Sequence, residues 1–412
     1  MELESLPEGW EIRSLGEVAE IKAGNPAPQK EKYFENGNIP FVRVQDLGRY
    51  GKTSFLTEVK DKVNSVAITE CKLKIFPEGT VLLPKSGMST LLNHRAILAK
   101  NACVVSHLAA IIPQKNALSE YLYYFLCTLD SSRIAQRTTL PSIKLKTLSN
   151  LEIPLPPLEE QKKIVEILQF ADYLKERRRE AIKLIDKIVM SVFYDMFGDP
   201  ATNPKGWEVK KLSEIADINP RNFIPENWND EKEVGFIPME NIDGETGEIR
   251  QIGIKKLSRV RSGKTRFKEK DVLFAKITPC VENKKVALVR NLPSEVGFGS
   301  TEFHVIRAKE GITVPEFVLY LARTGYVREQ AILSMTGTSG RKRVPASFLK
   351  NFDVPLPSLD LQQEFAEIVS KLEAKRKKME EAEEKLEMLY QILLRQAFTG
   401  KLTEEWRWHQ KF

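Results

Sequence analysis

The feature that most constrains the fold is an internal repeat that divides the chain into two halves. The stretch LEIPLPPLEEQKKIV, which begins at Leu151, returns as FDVPLPSLDLQQEFAEIV from Phe352, with Pro154 and Pro355 lying 201 positions apart. Other blocks recur in the same order: PEGWEIRSLGEVAEI and PKGWEVKKLSEIADI, FVRVQDL and FIPMENI, FPEGTVLLPKS and FKEKDVLFAKI, EYLYYFL and EFVLYLA. This ordered recurrence indicates a tandem duplication, so both halves are expected to fold alike.

Each half begins as a mixture of short strands and helices. The runs GTVLLPK and DVLFAKI are short, apolar and bounded by turn residues, which is typical of buried strands. LSEYLYYFLCTLDS and VPEFVLYLARTG have helical spacing. The pattern predicts an α+β chain that contains two tandem α/β domains.

Each half then ends in a long amphipathic run. Apolar residues three and four apart predict a coiled-coil seam in each run, with a basic residue, Arg178 or Lys375, in the gap. The predicted seam positions are Ile167, Ala171, Leu174, Ala181, Ile185, Ile188 and Val192 in the first run, and Phe365, Ile368, Leu372, Met379, Ala382, Leu386, Leu389 and Leu393 in the second. Two such helices in one chain are expected to pair as an antiparallel coiled coil with a pseudo-twofold axis.

These patterns predict four regions along the chain. A first globular domain covers residues 1–154, a helical spacer 155–198, a second globular domain 199–355, and a C-terminal helix with its tail 356–412. The Pro-Leu-Pro sequence before each helix is expected to end a strand and start the helix at a defined angle, since proline fixes φ. The tail WRWHQKF is expected to pack against the first domain or a partner.

The charge of the chain is unevenly distributed. The net charge is +7, but the two helical runs (159–197 and 360–397) carry 0 and −2, which leaves +9 for the rest. A basic excess on the globular parts indicates a polyanionic partner such as nucleic acid, although solubility alone can account for a charge of this size.

The sequence shows no constellation for catalysis or cofactor binding. There is no phosphate-binding loop, since TGTSGRKR has the required residues in the wrong order, and no Asn-Pro-Pro-Tyr stretch of an amino-methyltransferase. The four histidines and four cysteines are scattered, so neither a metal site nor a bound cofactor is expected. Free thiols, the lack of a membrane-length apolar run and the acidic start MELESLPEGW predict a cytoplasmic protein.

The duplicated elements resemble one known family. The opening GWE…L.E.A.I of each half, the junctions IPLPPLEEQKKIV and VPLPSLDLQQEF, and LLRQAFTGKLT after the last helix are similar to the specificity (S) subunits of type I restriction-modification enzymes. The resemblance covers essentially the whole chain. VFYDMFGDP is the first-half counterpart of the last element.

The resemblance implies a non-catalytic DNA-reading subunit. Each globular half would be a target recognition domain for one half of an interrupted site in double-stranded DNA. The helices would set the spacer and dock modification (M) subunits, two in number, which use S-adenosylmethionine. Restriction (R) subunits would supply ATP-driven translocation and cleavage, with magnesium.

Two loops in each half are the candidate DNA contacts. A strand-end loop covers residues 83–97 in the first half and 275–288 in the second, and a pre-junction loop covers 136–146 and 336–345. Amides and guanidinium groups read base edges, while lysines and hydroxyls mostly hold phosphates. The candidates are Lys85, Ser86, Ser89, Asn93, Arg95, Thr138, Thr139, Lys144 and Lys146, and in the second half Lys276, Thr278, Asn283, Lys284, Lys285, Thr338, Ser339, Arg341, Lys342 and Arg343.

Other readings of the chain stay open at this point. A bifunctional restriction-methylation polypeptide would need methyltransferase motifs that the sequence lacks. A dumbbell-shaped scaffold that joins two protein partners without DNA would also use two repeated domains. The chain could also be an orphan S subunit made without M and R partners.

Overall fold

The computed structural model describes residues 6–49, 54–136, 140–338 and 340–410. The chain divides into two compact units. The first unit consists of residues 1–179 and 381–412, and the second consists of 180–380. Each long helix therefore contributes one segment to each unit, and neither helix forms a unit of its own.

The first half of the chain contains eleven strands and seven helices among the described residues. The strands are β1 (Glu11–Ser14), β2 (Ala19–Ala23), β3 (Ile39–Val42), β4 (Phe55–Leu56), β5 (Asp61–Val63), β6 (Ile75–Phe76), β7 (Val81–Pro84), β8 (Ala96–Leu98), β9 (Ala102–Val104), β10 (Leu108–Pro113) and β11 (Glu152–Leu155). The helices are α1 (Leu15–Val18), α2 (Val44–Arg49), α3 (Ser65–Glu70), α4 (Ser119–Cys127), α5 (Ser131–Ile134), α6 (Leu145–Ser149) and α7 (Leu158–Phe197).

The second half repeats this plan. Its strands are β12 (Glu208–Lys211), β13 (Ala216–Ile218), β14 (Glu233–Ile237), β15 (Gly253–Lys256), β16 (Thr265–Phe267), β17 (Val272–Ala275), β18 (Val286–Leu288), β19 (Gly297–Gly299), β20 (Phe303–Ala308) and β21 (Asp353–Leu356). Its helices are α8 (Leu212–Ile215), α9 (Pro315–Arg323), α10 (Gly325–Leu333), α11 (Ala346–Asn351), α12 (Leu359–Ala397) and α13 (Glu404–Gln410).

The sheets of the two units have the same topology where the sequence blocks repeat. In the first unit the order β2-β10-β7-β8-β4 matches β13-β20-β17-β18 of the second. A smaller sheet, β5-β3-β9-β6, has the counterpart β15-β14-β19-β16, and both contain one parallel pair. The duplication predicted from sequence is therefore confirmed in three dimensions, as is the mixed helix and sheet content.

The duplicated junction closes each unit on itself. The last strand of each half pairs antiparallel with the first strand, so that Ile12 faces Pro154 in the first unit and Val209 faces Pro355 in the second. Each long helix begins three residues after its strand ends, at Leu158 or Leu359. The residues that follow the two strands are Pro156 and Pro357. Proline cannot donate a backbone hydrogen bond, so the strand pairing ends at Leu155 and Leu356.

A glutamine on the first turn of each long helix holds the junction in place. Gln161 is fully buried, and its amide nitrogen donates to the carbonyls of Pro156 and Asn116 at 2.9 Å each. Its side-chain oxygen accepts from the backbone N–H of Leu118 at 3.0 Å, just before α4. Three backbone groups thereby gain hydrogen-bond partners in a buried position, where leaving one unpaired would cost about 1–3 kcal/mol of stability.

Gln362 repeats this arrangement in the second unit. Its amide nitrogen donates to the carbonyl of Pro357 at 2.9 Å, and its oxygen accepts from the hydroxyl of Thr313 at 2.7 Å and from the N–H of Val314 at 3.2 Å. The glutamine of the Pro-Leu-Pro-x-Leu-x-x-Gln motif therefore ties the helix start to the loop before α9, as Gln161 does before α4.

Within the first unit, the start of α7 packs antiparallel against the end of α12. Lys175 lies 2.9 Å from Glu387, and Arg179 lies 2.8 Å from Glu383. The residue numbers therefore increase along α7 while they decrease along α12, as in an antiparallel pair. The ammonium of Lys175, which is 9% exposed, sits 3.6 Å from the ring centroid of Tyr390. A cation over an aromatic face is stabilised by the ring quadrupole, which explains how a lysine is accepted in the seam.

Within the second unit, the end of α7 packs against the start of α12 in the same antiparallel sense. Phe193 and Phe197 contact Phe365 with ring centroids 5.7 and 5.2 Å apart, and Phe317 of α9 joins this cluster. Arg376 is 8% exposed and pairs with Asp186 at 3.3 Å and with Glu248. The seam of this unit thus combines an aromatic cluster with a buried ion pair.

The predicted seam is wrong at three positions, two on α7 and one on α12. Leu174, Ile188 and Leu389 are exposed, whereas the next residue in each case, Lys175, Val189 or Tyr390, is buried. Likewise, the buried basic residue of α12 is Arg376, while Lys375 is exposed. At these positions the heptad pattern followed a second apolar stripe beside the seam, because the seam itself passes through Lys175 and Arg376, and charged residues normally mark the solvent side.

The first and last parts of the chain meet in the first unit at one buried carboxylate. Glu160 is 3% exposed and accepts from the indole N–H of Trp10 at 2.9 Å and from the hydroxyl of Thr403 at 2.6 Å. The guanidinium of Arg407 completes its charge pairing. The tail packs on the first unit as predicted, through Thr403 and Arg407, while Trp408 is 62% exposed.

Replacing Arg407 by Ala is expected to destabilise the first unit by about 3 kcal/mol, because it leaves the carboxylate of Glu160 buried without its cation. The measurement is chemical unfolding, with hydrogen exchange of peptides covering β1 and α13 as the local readout. Arg395→Ala, which removes an exposed arginine of α12, is the matched control and should change stability by less than about 0.5 kcal/mol. Equal effects of the two substitutions would contradict the assigned role of Glu160.

Candidate nucleic-acid interface

The two candidate loops of the second unit lie side by side. The backbone N–H of Thr278 donates to the carbonyl of Lys342 at 3.1 Å, and the N–H of Val344 donates to the carbonyl of Lys276 at 2.8 Å. The pre-junction loop is itself a hairpin, since Thr336 and Arg343 exchange backbone hydrogen bonds at 3.0 and 2.8 Å. Two segments that are about 60 positions apart in sequence therefore form one continuous ridge.

Several candidate side chains on this ridge are exposed to solvent. Asn283, Thr338, Arg341 and Lys342 are all exposed, and Ser339 lies outside the described residues. Gly340 has φ +76°, a left-handed conformation that allows the hairpin to turn tightly beside Arg341. Exposed hydroxyls and cations can donate hydrogen bonds to DNA phosphates, and an exposed amide can both donate to and accept from base edges.

Other candidates of the second unit are engaged within the protein. The guanidinium of Arg343 binds both carboxylate oxygens of Glu302 at 2.7 and 2.9 Å and lowers the pKa of that carboxyl. The ammonium of Lys285 donates to the carbonyl of Met239 at 2.8 Å, and Lys284 lies 3.3 Å from Glu245. The hydroxyl of Thr278 donates to Glu282. These four residues shape the loop, and Arg343 and Lys284 also keep part of their charge at the surface.

The candidate loops of the first unit are paired in the same way. The N–H of Ile143 donates to the carbonyl of Lys85 at 2.8 Å, and the N–H of Gly87 donates to the carbonyl of Pro141 at 2.9 Å. The hydroxyl of Ser86 hydrogen-bonds the imidazole Nδ1 of His107 at 2.7 Å. Lys144 and Lys146 are exposed at the start of α6. Ser89 lies on a short 3₁₀ turn, and Thr138 and Thr139 lie outside the described residues.

Arg95 is placed differently from the sequence expectation. Its side chain is 5% exposed, and its guanidinium donates to the carbonyl of His94 at 2.8 Å and the hydroxyl of Ser131 at 2.7 Å. Burial lowers the pKa of this guanidinium. Asn93 accepts from the N–H of Ser131 at 2.9 Å. Both residues fix the strand-end loop to α5, and the guanidinium of Arg95 is engaged inside the unit.

A basic cavity in the second unit was missed by the sequence analysis. It has a volume of about 600 Å³ and is lined by the segments 219–223 and 261–266 together with Lys276. In the described part of the chain, every charged side chain that lines it is a cation, namely Arg221, Arg261, Lys264, Arg266 and Lys276. An Asn-Pro pair follows the first strand of the main sheet in both units, as Asn25-Pro26 and Asn219-Pro220, but this pair does not by itself predict a cavity.

The floor of this cavity is organised by His304. Its imidazole Nε2 lies 2.9 Å from the carbonyl of Val344 and must donate to it, so Nδ1 accepts from the side-chain amide of Asn219 at 3.0 Å. Burial, with the nearby charge of Lys276, lowers the pKa of His304, which favours this neutral form. The histidine thereby links the cavity to the residue that follows the pre-junction hairpin.

Neither a metal-binding cluster nor a membrane-spanning helix occurs among the described residues. Among them, no three His, Cys, Asp or Glu side chains are grouped so that they could hold a metal ion. In the same part of the chain, no helix combines the length and the apolar character that crossing a membrane requires.

Comparisons with known proteins identify the repeat. The family model for the type I restriction modification DNA specificity domain matches residues 7–184 and again 204–388. The MjaIX specificity subunit of Methanocaldococcus jannaschii is 28% identical over 307 residues, covering 69% of this chain and 70% of that protein. The MjaVIII specificity subunit of the same organism is 25% identical and covers 96% and 94%.

A third relative and a solved structure are also similar to this chain. The EcoEI specificity subunit of Escherichia coli is 37% identical over 173 residues, which cover 42% of this chain and 29% of that protein. A chain from a structure of the type I restriction-modification system, solved to explain its complex assembly and conformational transition, has a TM-score of 0.61 at 19% identity and covers 97% of this chain and 100% of its own length.

The S subunit structure from M. genitalium has a TM-score of 0.51 at 16% identity and covers 97% of this chain and 98% of its own. At these identities the structures establish the fold alone. The family model, in contrast, matches each half of the chain from its opening strand into its long helix. The chain therefore belongs to the family of type I restriction-modification specificity subunits.

Proposed function

We propose that the chain is the DNA-recognition subunit of a type I restriction-modification complex and that each unit reads one half of a bipartite site. The observation that supports this most directly is the pair of adjacent loops in each unit, which present exposed cations and hydrogen-bonding side chains on one ridge. The ridges occupy equivalent places in the repeat but carry different residues. Two equivalent frames with different side chains are suited to two different half-sites.

The side chains on the ridges divide into two groups by their chemistry. Lys144 and Lys146 in the first unit, and Arg341 and Lys342 in the second, are assigned to phosphates, since flexible exposed cations bind the backbone of any sequence. Asn283 is assigned to a base edge, because its amide both donates and accepts. Arg95 is excluded from direct contact by its burial and instead supports the loop.

The second apolar stripe of the long helices is assigned to M subunits. In the first unit it consists of Phe170, Tyr173 and Leu174 on α7 and Met388, Leu389 and Ile392 on α12, all of them exposed. In a heptad whose seam contains Ala171, Lys175 and Tyr390, Leu174 and Leu389 both directly precede a seam residue. In an antiparallel pair such positions flank the same side of the seam. Large apolar side chains grouped on one side of a helix pair are typical of a protein-binding surface.

The second unit carries a smaller version of this stripe, with Leu184 and Ile188 exposed on α7. Two M subunits, one on each unit, are proposed on this basis. The helices α7 and α12 are 40 and 39 residues long. We propose that their length sets the spacing between the two half-sites.

Catalysis is assigned to the partner subunits. M subunits would bind S-adenosylmethionine and transfer the methyl group, and R subunits would use ATP and magnesium for translocation and cleavage. The present chain would contribute recognition and positioning of DNA. The purified chain alone is therefore expected neither to methylate nor to cut DNA.

The test of this function is sequencing of methylated genomic DNA from a host that expresses the chain with a cognate M subunit. The expected result is one interrupted motif, and exchange of residues 199–355 for those of another S subunit should change one half of the motif only. A motif without a gap would overturn the bipartite reading. Absence of methylation despite a complex that binds DNA would indicate an orphan or inactive system, and absence of DNA binding would favour a protein scaffold.

Replacing Lys342 by Ala is expected to weaken binding to all DNA sequences equally and to reduce the slope of log K against log salt by about 0.9, because one phosphate contact is lost. Lys350→Ala, an exposed lysine on α11, is the matched control and should leave the slope unchanged. Asn283→Ala should instead alter the preferred base at one position, with the slope unchanged. The measurement is equilibrium binding at several salt concentrations, and a slope for Lys342→Ala equal to that of the wild type would place the DNA elsewhere.

Replacing Leu174 by Glu is expected to weaken M-subunit binding by at least about tenfold without altering the unfolding midpoint, because the side chain is exposed in the isolated chain. Leu174→Met, which keeps an apolar side chain of similar volume, is the control and should bind normally. Lys175→Glu, one residue along, should instead unfold the seam, since it brings three acids together with Asp172 and Glu387. Normal M binding by Leu174→Glu would exclude this stripe as the docking surface.

A further inference from the structure

The loop Asn219–Phe223 at the edge of the basic cavity has an unusual combination of rigidity and exposure. Phe223 is 77% exposed, although burying such a side chain is worth about 1.5–3 kcal/mol. It lines the same cavity as Arg221, Lys264 and Lys276. Lys276 is also the first residue after β17, where the strand-end loop starts, so the cavity adjoins the proposed DNA-reading ridge.

The residue before Phe223 is anchored firmly. Asn222 is buried, and its amide nitrogen donates to the carbonyl of Arg266 at 2.8 Å. Its oxygen accepts from the guanidinium of Arg307 at 2.8 Å, and Arg307 in turn pairs with the buried carboxylate of Asp271 at 2.7 Å. The backbone at Phe223 is therefore held by a network that extends into the sheet.

The other end of the loop is anchored as well. Asn219 has φ +53°, and its side-chain oxygen accepts from the N–H of Val305 at 2.9 Å, while its amide binds His304. With both ends fixed, Phe223 cannot be withdrawn into the core by a simple loop movement. A large apolar side chain held in water on a rigid support, among cations, is what a nucleic-acid wedge requires.

We propose that Phe223 inserts between two adjacent base pairs of the half-site bound by the second unit, while Arg221 and Lys264 hold the phosphates on either side. The inference deepens the proposed function and rests on it. Insertion unstacks one step and kinks the duplex, at a cost that depends on sequence, so the flexible pyrimidine–purine steps are favoured at that position. The second half-site is thus read partly through deformability, at a base step that needs no hydrogen bond from the protein.

The first unit lacks this wedge. The repeat equates Ile21 with Ile218, but β2 continues to Ala23 whereas β13 ends at Ile218, and the segment that follows β2, residues 24–30, contains no aromatic side chain. The amide of Gln29 donates to the carbonyl of Ala27 at 2.9 Å, so the side chain folds back on its own loop. The kink is therefore confined to one half-site, and the other half-site serves as an internal reference.

The test uses the complex assembled with M subunits on its bipartite target, with 2-aminopurine placed in turn at each adenine of both half-sites. Wild-type complex should increase the fluorescence at one step of the second half-site and at no equivalent position of the first, because unstacking relieves quenching. Target bases that the M subunits extrude are distinguished by repeating the measurement with Phe223→Ala, which should abolish only the wedge signal. The same variant should weaken specific binding about tenfold.

Phe223→Trp should retain the signal, since a larger aromatic ring can still insert. Ile312→Ala, a truncation of an exposed aliphatic side chain before α9, and Gln29→Ala in the first unit should leave both readouts unchanged. Because Phe223 is exposed, the Ala variant is expected to fold normally, which its unfolding midpoint checks.

The outcomes separate the two proposals. If the wild-type complex binds its bipartite target but shows no fluorescence change that depends on Phe223, the wedge is wrong and the proposed function stands. A loss of affinity in Phe223→Ala without such a change would make Phe223 a surface contact and would equally overturn the wedge. If the wild-type complex shows no sequence-specific binding at all, the proposed function itself fails.

Discussion

The buried glutamine on the first turn of each long helix is the contact on which each unit depends. Gln161 and Gln362 lie at the helix start, and their side chains hydrogen-bond both the proline turn and the loop before α4 or α9, where buried polar groups would otherwise lack partners. Because the side chain is enclosed, these bonds fix the direction in which the helix leaves the sheet. Loss of this contact would free the start of the helix from its own unit.

In the helix seams, a few charged residues within a mostly apolar contact select the register in which the two helices pair. Asp172 accepts hydrogen bonds from the hydroxyls of Tyr124 at 3.0 Å and Tyr390 at 3.2 Å, and its burial raises the pKa of the carboxyl. Burial likewise raises the pKa of Asp186, beside Arg376. Buried ion pairs add little net stability but are costly to mismatch, so they disfavour other registers of the two helices.

The two units differ where the chain itself breaks the repeat. In the second unit the indole N–H of Trp207 donates to the carbonyl of Phe197 at 2.8 Å, and the chain runs continuously from α7 into β12. In the first unit the equivalent Trp10 donates to Glu160, which also binds Thr403 and Arg407 near the other end of the chain. In the first unit the buried carboxylate of Glu160 thus joins two chain segments that are covalently continuous in the second unit. Glu160 occupies the position that corresponds to Leu361 in the second junction.

The sequence by itself determined the duplication, the α/β character of each half, the two long helices and the pairs of loops that carry exposed cations. These follow from local periodicity and from the order of repeated blocks, which do not depend on distant contacts. The tertiary structure alone decided which apolar stripe of each helix is buried, because Lys175 and Arg376 become seam residues only when Tyr390 and Asp186 are positioned to receive them. It likewise withdrew Arg95 into the interior and assembled the cavity beside Phe223 from segments about 40 residues apart, which no local pattern records.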